Sequence, residues 1–171
     1  MKVLVTGGGG FLGKAIVKLL LARGDQVRSF SRSAYPELDQ LGVEQCRGEL
    51  GDAEAVSRAV AGSDIVFHVA AKAGVWGPYE DFYRANVLGT RHVIAACRRH
   101  GVKRLVHTSS PSVVFDGTDM EGVDESVPYP DHFEAFYPQT KAEAEQLVLQ
   151  ANDDLLATVA LRPHLIWGPE D

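Results

Sequence analysis

Four consecutive glycines, Gly7–Gly10, follow the apolar stretch KVLVT (2–6) and precede a helical pattern that opens at Phe11. A strand, a glycine loop and a helix in immediate succession form a phosphate cradle, because the first N–H groups of the helix have no intrahelical partner and face the loop. This arrangement confines the chain to folds in which a strand hands over to a helix at a ligand. Two loops fit the letters. Read from Gly8, the stretch is G-x-x-x-x-G-K, as in nucleoside triphosphatases. That loop needs Ser or Thr after its lysine to ligate magnesium, and Lys14 is followed by Ala15. Read from Gly7, it is T-G-x-x-G-x-x-G, a dinucleotide loop, and that reading keeps all its parts. Gly7 permits the tight turn, Gly10 lets the backbone approach a pyrophosphate, and Gly13 lets the helix pack closely. Phe11 and Leu12 supply the first helical N–H groups.

The rest of the chain repeats the alternation. Strands are predicted at 2–6, 26–31, 43–50, 64–71, 104–110 and 156–163, and helices at 11–24, 52–62, 79–101 and 137–152. Asp52 is the expected N-cap of the second helix. Gly24 and Gly101 stand where left-handed caps belong. Strand–helix alternation predicts an α/β fold, a doubly wound parallel sheet of the Rossmann type, with ligands at the carboxyl ends of the strands. The irregular stretch 111–136, rich in Pro, Asp and Gly, is long enough to be a functional loop.

The 171 residues fit one domain. A net charge of −6 without a Lys/Arg stripe argues against a nucleic-acid partner. The two cysteines, Cys46 and Cys97, read as free thiols in a reducing compartment. There is no leader pattern and no apolar run of about 18 residues. The expectation is a soluble cytoplasmic protein without a membrane span.

Cofactor choice is set where the second strand ends, and an acid there would bind the ribose 2′-hydroxyl of NAD. Asp25 precedes the strand and belongs to the turn before it. The strand ends in Ser31, Arg32 and Ser33. A cation between hydroxyls suits a 2′-phosphate, so NADP(H) is expected in preference to NAD(H).

Two further motifs carry chemistry. YPQTK puts Tyr137 and Lys141 four apart, on one helix face. HTSS ends the fifth strand with Ser109 and Ser110 at the ligand edge. A free phenol, with a pKa near ~10, is a poor base at neutrality, and an adjacent ammonium would lower it. A serine hydroxyl can hold a carbonyl oxygen while hydride moves at carbon, and the phenol then handles that oxygen's proton. Because Pro138 disfavours helical geometry before it, Tyr137 is expected at the N-cap and Pro138 at the first helical position.

Together, TGGGGFLG (6–13), GELGD (48–52), HVAA (68–71), NVLGT (86–90), HTSS (107–110), YPQTK (137–141) and LRPHLIWGPED (161–171) resemble the extended short-chain dehydrogenases/reductases. The resemblance covers the whole chain. It implies that Glu49 and Leu50 lie at the adenine, although the family usually has Asp at position 49. It implies that Ala70, Ala71 and Lys72 line the cofactor ribose and that Asn86 orders the central elements. Ser110, Tyr137 and Lys141 would be catalytic, with Ser109 as the substitute for Ser110. Lys141 and Tyr137 would also touch cofactor, and Pro163 and His164 would stand beside the nicotinamide.

HVAAKAGVWGPYEDFYRANVLGT and TSSPSVVFDG are similar to the 3β-hydroxysteroid dehydrogenase branch, and within it to bacterial members that reduce 2-alkyl-3-oxoalkanoic acids in long-chain olefin synthesis. This implies a hydrophobic β-keto acid or sterol-like substrate, with the aromatic insert Trp76, Tyr79, Phe82 and Tyr83 against an acyl chain. Family members continue past residue 171. Residues 1–171 are therefore expected to be the NAD(P)-binding Rossmann domain of a longer protein whose C-terminal substrate domain is missing here, with room for a homodimer at full length. Two alternatives remain open at this point. One is a nucleotide-sugar epimerase or dehydratase with bound NAD. The other is a non-catalytic NADP sensor, which the intact Tyr/Lys pair disfavours.

Overall fold

The computed structural model describes residues 1–169. Six parallel strands run among them: β1 (Lys2–Thr6), β2 (Gln26–Ser31), β3 (Glu44–Arg47), β4 (Ile65–His68), β5 (Arg104–Thr108) and β6 (Ala157–Leu161). Their order across the sheet is β3-β2-β1-β4-β5-β6. The doubly wound parallel sheet read from the alternation is the fold observed.

Side-chain alternation along β1 shows how the layers are built. Val3 and Val5 pack on one face with Val17 and Leu20 of α1 (Phe11–Ala22) and Leu38 of α2 (Pro36–Gln40). Leu4 points to the other face, into a cluster with Val56 of α3 (Ala53–Val60), Val93 of α5 (Gly89–His100) and Val148 of α6 (Phe136–Gln150). Successive strand residues face opposite sides, and both sides are covered, so β1 is apolar throughout. Each such aliphatic side chain stabilises the fold by roughly 1.5–3 kcal/mol.

The chain leaves β1 toward the α1 face and β4 toward the opposite face. A crevice therefore opens between the two loops at the carboxyl edge, the topological switch point of the sheet. Gly7 makes the first loop possible: its φ of 73° is left-handed, and an added methyl would stand 3.0 Å from Ala70 Cα.

Several boundaries differ from the sequence reading. The first helix stops at Ala22, and its buried residues are Gly13, Val17 and Leu20, while Leu19 is exposed. The third and fourth strands are four residues each, shorter than 43–50 and 64–71. The short helix α2 was not anticipated. The helix expected over 79–101 is α4 (Tyr79–Phe82), a π-helical turn (Tyr83–Leu88) and α5, closed by Gly101 in the left-handed conformation. Asp52 caps α3 by accepting from the N–H groups of Glu54 and Ala55, as expected.

On α6 the N-cap is Ala135, so Tyr137 lies inside the first turn instead of at the cap. Pro138 is tolerated there because the first four N–H groups of a helix have no intrahelical acceptor, and its missing donor costs nothing. Asp25 accepts from the Met1 ammonium and Arg23, consistent with a place before the strand. No helix among the described residues is long and apolar enough to cross a membrane. The last two residues of LRPHLIWGPED lie outside the described ones.

Candidate active site

The loop after β1 forms the floor of the crevice. Gly10 N donates to Gly7 O (3.0 Å) and Lys14 N to Gly10 O (2.8 Å), which closes the turn into α1. Gly10 and Gly13 are not equivalent. A methyl at Gly13 would collide with the Gly7 carbonyl, whereas one at Gly10 meets only that oxygen, at 3.4 Å. Gly13 is thus required for packing the helix against the loop, and the space beside Gly10 is open. Phe11 and Leu12 begin the helix with free N–H groups over this space. A bound pyrophosphate fits this cradle, both in shape and in the donors it presents. Tyr35, unremarked in the sequence, lies over the loop: a side chain at Gly9 would collide with its ring. Gln45 holds Tyr35 in place through bonds to its N–H (2.9 Å) and C=O (3.0 Å).

The wall after β4 is fixed by buried side chains. Thr6 Oγ1 accepts from the N–H groups of Val69 and Ala70, both at 3.1 Å. Its own proton must therefore go to His68 Nδ1, at 2.8 Å. His68 Nε2 then donates to Thr90 Oγ1 (3.0 Å), which donates to Asn86 O (2.6 Å). This chain of donors fixes a neutral imidazole, in line with a His68 pKa pushed down to about 3 by burial and by the Lys141 charge. Asn86, on the π-helical turn, accepts from Lys72 N (2.7 Å) and donates to Lys72 O (3.1 Å) and Thr140 Oγ1 (3.0 Å). It thereby ties the β4 loop to α6. Ala71 is exposed, and the Lys72 ammonium lies 5.1 Å from the centre of the Phe82 ring.

After β3, Glu49 is exposed and pairs with Arg84 (3.6 Å), while Leu50 packs against the core. Ser31 Oγ lies 3.4 Å from Ser29 Oγ, and Arg32 is exposed.

Ser110 starts the 3₁₀ turn Pro111–Val114. Its hydroxyl accepts from Ser112 N (3.2 Å) and lies 2.8 Å from Ser112 Oγ. Ser109 is buried. Burial raises the Tyr137 phenol above its ordinary value, and the neighbouring Ser110 hydroxyl opposes that rise.

Lys141 lies one turn along α6 and is 2% exposed. Its ammonium donates to Thr108 O (2.6 Å) and sits 3.3 Å from His107 Nε2. Burial lowers it to about 8. Among the described residues no hydrogen bond joins it to Tyr137. The expectation that the ammonium depresses the phenol is therefore not met, because Lys141 is turned toward the end of β5.

A cavity of about 530 Å³ lies between the 111–125 loop and the end of β6, lined by Ser112, Val114, Met120, Arg162 and His164 among others. Pro163 lies between the last two. Half-buried Arg162 pairs with the buried Glu145, a charge the sequence reading passed over. The aromatic insert divides. Phe82 is fully buried, Tyr79 meets Tyr83 and Phe136 at centroid distances of 5.7 and 5.5 Å, and Trp76 is 90% exposed.

Residues 4–171 match the 3-beta hydroxysteroid dehydrogenase/isomerase family. The chain belongs to that family. A 2-alkyl-3-oxoalkanoate reductase of Stenotrophomonas maltophilia is 60% identical over 173 residues, covering 100% of this chain and 52% of the reductase. The chain spans about half the length of the curated relatives it matches. Among solved structures, a short-chain dehydrogenase/reductase superfamily protein from Agrobacterium tumefaciens with bound NAD aligns at a TM-score of 0.83, with 32% identity over 95% of this chain and 48% of that one. The Thermus thermophilus UDP-glucose 4-epimerase complex with NAD aligns at 0.81, with 34% identity over 95% and 54%.

These aligned structures overturn the preference for NADP(H). Both structures hold NAD. The reason is visible at the end of β2, where Arg32 is exposed and Ser31 offers a neutral hydroxyl that serves a ribose diol as readily as a phosphate.

Proposed function

We propose that this chain is the dinucleotide-binding and catalytic part of an NAD-dependent oxidoreductase that interconverts a 3-oxo and a 3-hydroxy group on a hydrophobic substrate, a 2-alkyl-3-oxoalkanoic acid or a sterol-like molecule. The observation that carries this reading is the placement of Lys141, on the same helix face as Tyr137, against the end of β5, where its ammonium donates to Thr108 O (2.6 Å), two residues before Ser110. Gly7, Gly10, Phe11, Leu12 and Gly13 would hold the pyrophosphate and Ser31 the adenosine ribose. Glu49 and Leu50 would lie at the adenine, Ala70, Ala71 and Lys72 along the cofactor, and Pro163 and His164 beside its ring. Bound NADH supplies the hydride.

Ser110 donates to the substrate carbonyl oxygen and holds it. Tyr137 gives that oxygen its proton. When a dinucleotide is bound, the buried ammonium of Lys141 would donate to its ribose. Apolar walls around Tyr79, Tyr83 and Phe136 exclude water from the exchange and accept an acyl chain.

A nucleotide-sugar epimerase is the second reading, favoured by the NAD-bound epimerase that aligns with this chain. The 60% identity to the reductase and the aromatic wall support the first. The test offers NADH with a 2-alkyl-3-oxoalkanoic acid, a 3-ketosteroid or, separately, UDP-glucose, and follows reduced-nicotinamide absorbance and sugar products. Oxidation of NADH with either ketone supports the proposal, and UDP-galactose formed without net NADH loss replaces it.

A further inference from the structure

His68 and His107 are register partners on β4 and β5, with ring centroids 5.2 Å apart. Both are 1% exposed. One is fully satisfied and the other is not. His68 has partners on both nitrogens. His107 Nδ1 is buried with no hydrogen-bond partner, while Nε2 faces the Lys141 ammonium at 3.3 Å. An ammonium has only donors, so His107 Nε2 is the acceptor and the proton sits on the orphaned Nδ1.

A residue that merely fills this space need not be polar. Leu105, two residues earlier on the same face of β5, is an ordinary core residue. An imidazole at 107 leaves a buried N–H unsatisfied, which is destabilising. What it provides in return is an acceptor for Lys141. With Thr108 O accepting at 2.6 Å, two of the three ammonium protons are committed to β5. The third is left for the crevice.

We propose that His107 is a positioning residue for Lys141: its Nε2 and the Thr108 carbonyl grip the ammonium from the sheet side, so that the remaining N–H is presented to the ribose of the dinucleotide. The inference rests on the reading above, in which Lys141 binds that ribose. It predicts that the acceptor at 107, more than the ring, is what matters.

The experiment is a double-mutant cycle on NADH affinity, read by nicotinamide fluorescence, with the melting temperature of each variant as a check on folding. His107→Leu removes the acceptor, and His107→Gln restores one on a neutral side chain. Lys141→Met removes the donor. NADH should bind about tenfold more weakly to His107→Leu, the scale of a lost hydrogen bond to a charged group. The Gln variant should recover most of that loss. In the Lys141→Met background, His107→Leu should cause no further loss.

Equal weakening by Leu and Gln, or a Leu effect that persists undiminished beside Lys141→Met, would overturn the inference and leave His107 a packing residue. If Lys141→Met binds NADH as tightly as the parent, the underlying assignment of Lys141 fails instead. Should His107→Leu not fold, His107→Phe, a ring without an acceptor, takes its place in the cycle. An effect confined to the Lys141 background supports the proposal, and an equal effect in both backgrounds refutes it.

Discussion

On the β4 side of the crevice, Thr6 collects the N–H groups of Val69 and Ala70, and Asn86 clamps both backbone groups of Lys72. On the β5 side, the chain from 111 to 135 rests on a small cluster of Val113, Val114 and Ala142 and on a polar knot around Glu145. That knot consists of Arg162, bonded through Nε at 3.1 Å, and the Tyr129 hydroxyl, at 2.7 Å. The first wall is woven from the sheet itself and shares its cooperativity. The second is attached to one helix by a few side chains. The two walls meet on α6, where Asn86 bonds Thr140 and Glu145 holds Arg162 and Tyr129, so a change in the loop 111–135 reaches the first wall through that helix.

The contrast can be broken most sharply at Gly10. Gly10→Val should abolish NADH binding while leaving the melting temperature close to the parent, because the added methyl groups enter open space and not the core. A large fall in melting temperature would show that Gly10 is a packing position like Gly13. Next in size is Tyr137→Phe. Turnover should fall by roughly 10²–10⁴, the range for a general acid, with NADH affinity unchanged. Normal turnover would remove the acid role and leave only a binding fold.

Glu145→Ala probes the other wall. It strands Arg162 in a partly buried site, and breaking such a pair costs about 3–5 kcal/mol, read as a loss in denaturant-unfolding free energy. Burial pushes the Glu145 carboxyl up, but the bonds from Arg162 and Tyr129 outweigh it and hold the carboxyl below its ordinary 4.5. Its folded value is thus depressed relative to the unfolded one. The stabilisation is complete above pH about 4.5 and is lost as pH falls through the folded value. Glu145→Gln should flatten that acid limb, and an unchanged limb would place the acid sensitivity elsewhere. The smallest effect belongs to Arg32. Arg32→Ala should change NADH binding by no more than about 0.5 kcal/mol, as for an exposed side chain. NADH should also bind more tightly than NADPH in the parent. The reverse order would return the end of β2 to a phosphate-binding role.

Much of the cofactor wall is legible in the chain because it is periodic. Val3, Leu4 and Val5 announce a strand buried on both faces, and the glycine spacing announces the turn that follows. Asp52 and Gly101 mark helix ends by local chemistry alone. The aromatic insert was less legible, since Phe82, Tyr79 and Trp76 have similar side chains and three different degrees of burial that only packing decides. α2 escaped because five residues carry too little periodicity. Glu145 and Arg162 are 17 residues apart, and nothing local pairs them. His107 left a readable trace: a polar side chain at an inward strand position, two residues from Leu105. The cofactor reading failed for a related reason. Arg32 is prominent in the sequence, but prominence does not hold a side chain in place.

The π-helical turn at Tyr83–Leu88 has a consequence for chain length. An α-helix advances by ~100° per residue, so the wider turn acts as a phase slip between the aromatic segment before it and the α5 segment after it. Removing one residue there would let the backbone relax to a continuous α-helix with every hydrogen bond intact. It would also rotate Tyr79 away from Phe136. Point substitutions in this stretch alter one side chain at a time, whereas a single-codon deletion would re-aim a whole wall of the crevice at once. Length variation at this turn is thus a more powerful lever on what the crevice accepts than any individual aromatic residue.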